Sequence, residues 1–214
     1  MGNPLQQTYE WFEARCGCLT ASRAAAVFKC LKSGKPTAEY TNMIARLIDE
    51  RASGEVKSLF KSPEMQWGID HEDEARERYE EETGEVVELC GFILHPTIDF
   101  FGASPDGLVG DDGLLEIKCP NTNTHLERVI AGVVPEEYKP QMLVQLLCTS
   151  RKWVDFVDYD SRSEAIVPGS SFFCVRFTPT EEELKDAETK CIAFLNAVQA
   201  KIDLCKEKVA ERSK

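Results

Sequence analysis

Two carboxylates and an ammonium group stand close together in this chain. Asp106 follows Ser104-Pro105 and precedes Gly107, while Glu116 and Lys118 lie in the run Leu114-Leu115-Glu116-Ile117-Lys118-Cys119-Pro120. A strand sends alternate side chains to opposite faces, so Glu116 and Lys118 share one face and Ile117 points to the other. Asp106 is expected at the end of one strand. Gly107 and the turn Asp111-Asp112-Gly113 then reverse the chain, and one hairpin-like unit brings all three groups to a point. Carboxylate oxygens suit Mg²⁺, which keeps several of its waters. A metal so held activates water and neutralises charge on a phosphate, so the set suits phosphodiester hydrolysis. Lys118 would orient or deprotonate that water, a base role helped by a neighbouring metal that lowers its pKa. The competing reading is a surface turn beside an ordinary strand ion pair. Against it stand the apolar strand around Glu116 and Lys118, the small residues Gly102-Ala103 leading into Ser104-Pro105, and Glu72 on an upstream helix.

The elements that must position these groups follow from local patterns. Tyr9–Arg15 reads as a short helix. Thr20-Ala21-Ser22 offers caps for a second helix through Ala24–Leu31, with a break at Ser33-Gly34-Lys35-Pro36. Thr37 opens a helix with Tyr40, Met43, Ile44, Leu47 and Ile48 at helical spacing, ended by Gly54. Ser62-Pro63 starts another by cap and first-turn proline, and it runs to Gly84. The period then changes. Val86–Leu94, Phe100–Ala103, Leu114–Ile117, Trp153–Asp158 and Phe172–Phe177 read as strands, with a helix over Pro135–Cys148. Thr180 and Glu183 form a capping box for a long helix with the stripe Leu184, Ala187, Cys191, Leu195, Val198, Ile202, Cys205 and Val209. Helices flanking a central mixed β-sheet make an α/β fold. The expected organisation is one domain over 1–214: a helical part over about 1–84, a catalytic core over about 85–178, and the C-terminal helix over about 180–211.

Composition narrows the function classes. No apolar run approaches the length of a membrane span, and the first residues do not read as a secretion signal, so a cytoplasmic location is expected. The nine cysteines are odd in number and contain no CxxC pair, which points to reduced thiols and away from a zinc ribbon or disulfide framework. Cys174, Cys191 and Cys205 are spaced too widely for an iron–sulfur cluster. His71, His95 and His125 lack metal-ligand spacing. Trp11, Trp67 and Trp153 read as core. The net charge of −12 has the wrong sign for a protein that grips nucleic acid over its whole surface. Arg15, Arg23, Lys29, Lys32 and Lys35, however, lie in a stretch poor in acids, so the N-terminal quarter is the candidate contact face.

The motif blocks together resemble the lambda-exonuclease-like family (YqaJ-type viral recombinases) of the PD-(D/E)xK nucleases. The blocks are Trp11-x-x-x-Arg15 with Thr20-Ala21-Ser22, Trp67-Gly68 with Glu72, Ser104-Pro105-Asp106-Gly107, Leu115-Glu116-Ile117-Lys118-Cys119-Pro120, Tyr138-x-x-Gln141, and Tyr159-Asp160. The resemblance implies a restriction-endonuclease-like core. Its metal site would comprise Asp106, Glu116, the Ile117 carbonyl and the helical carboxylate Glu72, with Lys118 as the catalytic lysine. It also implies a pocket for a DNA 5′-phosphate made by Arg15, Ser22, Ser104 and Gln141. Arginine offers a planar fork of donors for phosphate oxygens, and Ser22 would act beside a helix N-terminus. Gln145, one turn after Gln141, reads as an exposed neighbour.

The implied activity is Mg²⁺-dependent 5′→3′ digestion of one strand of a linear duplex with a 5′-phosphorylated end, with Mn²⁺ substituting. It leaves a 3′ single-stranded tail for phage-type recombination in a bacterial host. A homotrimeric ring and a single-strand-annealing recombinase as partner are implied too. An acidic exterior around a basic bore would reconcile DNA binding with the net charge. The rival expectations are a PD-(D/E)xK endonuclease and an inactive DNA-end-binding module on the same fold.

Overall fold

A computed structural model of the chain describes residues 6–29, 35–56 and 62–212. The N-terminal part is helical. α1 (Tyr9–Ala14) is capped by the Thr8 side chain. A two-residue strand β1 (Leu19–Thr20) leads through a 3₁₀ turn, Ala21–Arg23, into the single-turn helix α2 (Ala25–Phe28). The helix expected through Leu31 therefore ends at Phe28, where Lys29 is already extended, and its last residues lie outside the described ones. The expected N-cap role also fails. Ser22 sits inside the 3₁₀ turn, and no side chain caps either short helix. α3 (Ala38–Ser53) starts at its Thr37 cap and stops at left-handed Gly54. α4 (Pro63–Thr83) starts at its Ser62 cap and stops at left-handed Gly84.

The segment Val86–Leu94 is not one strand. It is divided into β2 (Val87–Glu88) and β3 (Ile93–Leu94), and the two belong to different sheets. A small sheet has the order β1-β4-β3, where β4 is Phe101–Ala103. The larger sheet has the order β2-β5-β6-β7-β8, with β5 at Gly107–Val109, β6 at Gly113–Lys118, β7 at Trp153–Tyr159 and β8 at Phe172–Phe177. It is mixed as expected: β6 and β7 run parallel, and the other neighbours are antiparallel. Parallel neighbours need a long crossover. This one holds α5 (Thr122–Ala131), capped by Asn121, and α6 (Lys139–Thr149). α5 is absent from the sequence-based expectation. Gly107 opens a strand here instead of reversing the chain. A Cβ there would fall 2.1 Å from Val87 Cγ1, so glycine is what lets β2 approach β5.

The long helix α7 (Glu181–Arg212) begins with the expected capping box: Thr180 N–H donates to Glu183 and Glu183 N–H donates to Thr180 Oγ1. Its stripe is buried from Ala187 to Val198, whereas Cys205 and Val209 are exposed. α3, α6, α7 and the small sheet enclose one core around Leu47, Phe101 and Phe194. The large sheet packs α6 and α7 on one face through Met142, Leu146 and Phe156, and α4 on the other through Ala75, Tyr79 and Ile117. Among the described residues no helix is long and apolar enough to cross a membrane.

Candidate active site

Asp106 lies in the link between β4 and β5. Its N–H donates to Leu115 O at 3.0 Å, and its Oδ2 accepts the Ile117 N–H at 2.7 Å. Backbone pairing thus pins this carboxylate against β6, next to Glu116. Glu116 is wholly buried. Its Oε1 accepts from Gln141 Nε2 at 2.5 Å and contacts the Lys118 ammonium, and its Oε2 accepts from Gln145 Nε2 at 2.5 Å. Lys118 also donates to the Ile117 carbonyl at 3.1 Å and stands 5.3 Å from the Tyr138 ring centre. Glu72, on α4, is near enough to exchange electrostatic effects with Asp106, Glu116 and Lys118. Direct hydrogen bonds therefore gather Asp106, Glu116, Lys118 and the Ile117 backbone at one place, with Glu72 facing them only through charge.

The electrostatics are those of crowded acids. Burial raises the Asp106 carboxyl well above the ordinary range, and the charges of Glu116 and Glu72 raise it further against the pull of Lys118 and the Ile117 N–H. Burial also raises Glu72; Lys118 lowers it and Glu116 adds to the rise. Burial alone would depress the Lys118 pKa, but Glu116 and Asp106 more than reverse this, and it lies above its ordinary value. In this arrangement Lys118 donates to Glu116 and to the Ile117 carbonyl.

Among the described residues, no three His, Cys, Asp or Glu side chains form a group able to hold a metal by themselves. Mg²⁺ does not need such a cage, since one or two carboxylates and retained waters suffice. Oxygen donors from Asp106, Glu116 and Ile117, together with mutual repulsion among three acids, fit a hard divalent cation.

A second cluster adjoins the first. Arg15 donates from Nη1 to Ser104 Oγ at 3.0 Å and from Nη2 to Ser22 Oγ at 3.3 Å. Trp11 Nε1 donates to the same Ser104 Oγ at 2.9 Å, and the Arg15 guanidinium lies 4.0 Å from the Trp11 ring centre. Burial first, and Arg23 second, lower the Arg15 pKa to about 10, which leaves it charged at neutral pH. Gln141 does not join this cluster by any described hydrogen bond; its amide is spent on Glu116.

Trp11 is half-buried and part of the cluster, not core. Its spacing of four from Arg15 on one helix face was the available signal. Trp67 and Trp153 do pack against the core cluster of Ala75, Tyr79 and Ile117, half-buried and each stacked under an arginine, Arg162 at 3.8 Å and Arg176 at 3.5 Å. His125 is buried between Asp158 and the Ser170 carbonyl. The eight cysteines among the described residues are free.

Two other bases of the N-terminal quarter are paired, one half-buried and one exposed, while Lys35 is exposed. Arg23 forms a two-pronged pair with buried Glu50 at 2.8 and 2.7 Å, and Lys29 pairs with Glu39 at 3.3 Å. Lys32 lies outside the described residues. Glu50 also accepts the Gly17 N–H at 3.1 Å and the Arg46 Nε at 3.0 Å. The acid thereby ties the loop after Arg15 to the residue after Ser22.

The model of the YqaJ-like viral recombinase domain matches residues 10–152. No curated protein matches the chain. Among solved structures, it is similar to the alkaline exonuclease LHK-Exo from Laribacter hongkongensis, with a TM-score of 0.85 and 45% identity over 95% of this chain and 99% of that one. A crystal structure of LHK-Exo in complex with dAMP matches with the same figures. A phage-related exonuclease from Haemophilus somnus 129PT is similar with a TM-score of 0.64 and 15% identity, over 88% of this chain and 96% of that one, a likeness of fold alone.

Proposed function

The chain belongs to the YqaJ-like viral recombinase family, and on that premise we propose that it is a metal-dependent DNA exonuclease that hydrolyses one strand of a linear duplex from its 5′ end. The observation that carries the proposal is the adjacency of the two clusters. Ser104, which holds Arg15, precedes Asp106 by two residues. A terminal phosphate held by Arg15, Ser22 and Ser104 would present the next phosphodiester to the acids. Asp106, Glu116 and the Ile117 carbonyl would hold Mg²⁺, or Mn²⁺ in its place, with Glu72 completing the site. When bound, the cation supplies an activated water and charge neutralisation at the phosphate.

This chain's own residues do the rest. Lys118, kept cationic by two acids, offers N–H donors to water or to a phosphate oxygen. Asp106 is oriented by the Ile117 N–H. Trp11 holds Ser104 and faces Arg15. The whole chain is read as one nuclease domain. It would work as a homotrimeric ring, beside a single-strand-annealing recombinase that receives the 3′ tail.

The test is digestion of a linear duplex labelled at one defined end, with Mg²⁺, beside a closed circle of the same sequence. Loss of the 5′ label as mononucleotide, with the circle intact, is expected. Internal cuts in the circle would replace the exonuclease by an endonuclease. No cleavage of either substrate would leave only an end-binding module.

A further inference from the structure

Gln145 stands out in α6. It is wholly buried among Met142, Leu143, Val144 and Leu146, which are buried too. Its Nε2 donates to Glu116 Oε2 at 2.5 Å, whereas its Oε1 has no hydrogen-bond partner. The orientation is forced. Turned round, the amide would set its own oxygen against a carboxylate oxygen. A leucine or methionine would fill the same slot without stranding a buried acceptor. The amide is therefore explained by what it does to Glu116, not by packing.

The two oxygens of Glu116 are held differently. Oε1 is met by Gln141 and Lys118, both half-buried and open to solvent on one side. Oε2 is met by a side chain with no accessible surface. Only Oε1 is then available to a cation. We propose that Gln145 is a positioning residue that restricts Glu116 to one-oxygen ligation and so sets the site's choice between cations. Mg²⁺ and Mn²⁺ suit single-oxygen carboxylate ligands in a strict octahedron, whereas Ca²⁺ accepts six to eight oxygens and often takes both from one carboxylate. Removing the Gln145 amide frees Oε2 and relaxes the preference. The proposal rests on the reading of Glu116 as a metal ligand.

The test is calorimetric titration of the full chain with Mn²⁺ and, separately, with Ca²⁺. Gln145→Met removes the amide in a side chain of similar shape, and Gln145→Leu removes it in a different one, which separates the amide's role from a packing fault. Partners of metal ligands are generally worth about 10–100-fold in affinity, so Mn²⁺ binding should weaken by that order. Ca²⁺ should weaken less or strengthen, narrowing the Mn²⁺-to-Ca²⁺ ratio about tenfold or more. The ratio of rates on 5′-phosphate and 5′-hydroxyl ends should not move. An unchanged cation ratio in the folded variants overturns the proposal, whether affinity is kept or lost equally for both ions. Asp106→Asn is the control on the underlying reading. If it binds Mn²⁺ as the wild type does, the metal-site assignment itself falls, and that result is distinct from an unchanged ratio.

Discussion

His125 Nδ1 lies 2.6 Å from Asp158 Oδ1 with both side chains wholly buried, and the other ring nitrogen lies 2.6 Å from the Ser170 carbonyl. Both partners are acceptors, so only the doubly protonated ring satisfies them. Arg128 reaches the second oxygen of Asp158 at 2.5 Å, which completes a cation–anion–cation row at the residue paired with Lys118 on the neighbouring strand.

The row makes stability depend on pH. Burial alone would lower the His125 pKa, but Asp158 and the Ser170 carbonyl outweigh it and the folded value is raised. A raised histidine contributes its full stability below the unfolded value, about 6.5, and loses it as pH climbs through the folded value. Thermal melts of the wild type should therefore show a fall in Tm above about pH 6.5 that is shallower in His125→Gln. Parallel pH profiles for the two proteins would remove the histidine from this role.

Asp106→Asn should separate activity from stability. Its carboxyl is raised by burial and by Glu116 and Glu72, so ionised Asp106 works against the fold in the absence of metal. An amide oxygen can still accept the Ile117 N–H. Cleavage should fall about a thousandfold or more, the loss of several kcal/mol of metal-dependent stabilisation, while the Tm of the metal-free protein rises. Near wild-type cleavage would refute the site, and a lowered Tm would refute the electrostatic account.

Lys118→Met should keep cation binding and lose most turnover, because the ammonium is proposed to act on water and phosphate and not as a ligand. The expected drop is about 100-fold or more. Calorimetry with Mn²⁺ decides the assignment: a loss of binding as deep as that of Asp106→Asn would make Lys118 part of the metal's support.

Arg15→Ala should erase most of the preference for 5′-phosphorylated ends. A hydrogen bond to a charged group contributes about 1.5–3 kcal/mol, roughly tenfold to hundredfold in rate. Wild type and variant are compared on phosphate and hydroxyl ends at fixed salt. A wild type indifferent to the phosphate removes the pocket. A variant that keeps the preference moves it away from Arg15.

Local signals and tertiary ones were unequally visible in the chain. Ser62-Pro63 with Gly84, and Thr180 with Glu183, mark α4 and α7 because caps are chosen by backbone groups a few residues away. The sharing of one face by Glu116 and Lys118 is likewise local, as is the meeting of Asp106 with β6 across a short turn. Val86–Leu94 reads as one strand because nothing in its pattern says that two sheets compete for its ends. α5 was hidden although Asn121 and Gly132 bound it; its stretch Thr122–Ala131 carries few large apolar residues. Ser22 resembles a cap, and only the 3₁₀ turn around it shows otherwise. The burial of Gln145 and the grip of Glu50 on Gly17 and Arg23 depend on partners from distant segments, which no single-chain periodicity contains.

The parallel pairing of β6 with β7 also bears on the order of folding. β5 and β6 meet across the turn Gly110–Asp112, a contact that closes early because little chain entropy is lost. Gly113 and Trp153 meet only after the whole crossover with α5 and α6 has been laid down, and such non-local pairings are slow. On that order the acids of the hairpin are expected to come together before Gln141 and Gln145 arrive to support them. Substitutions in the β5–β6 turn should slow folding, whereas substitutions on β7 that weaken the pairing should mainly speed unfolding. Stopped-flow chevrons of Asp111→Ala and Val157→Ala separate the two, and equal slowing of folding by both would mean that the sheet forms in one step.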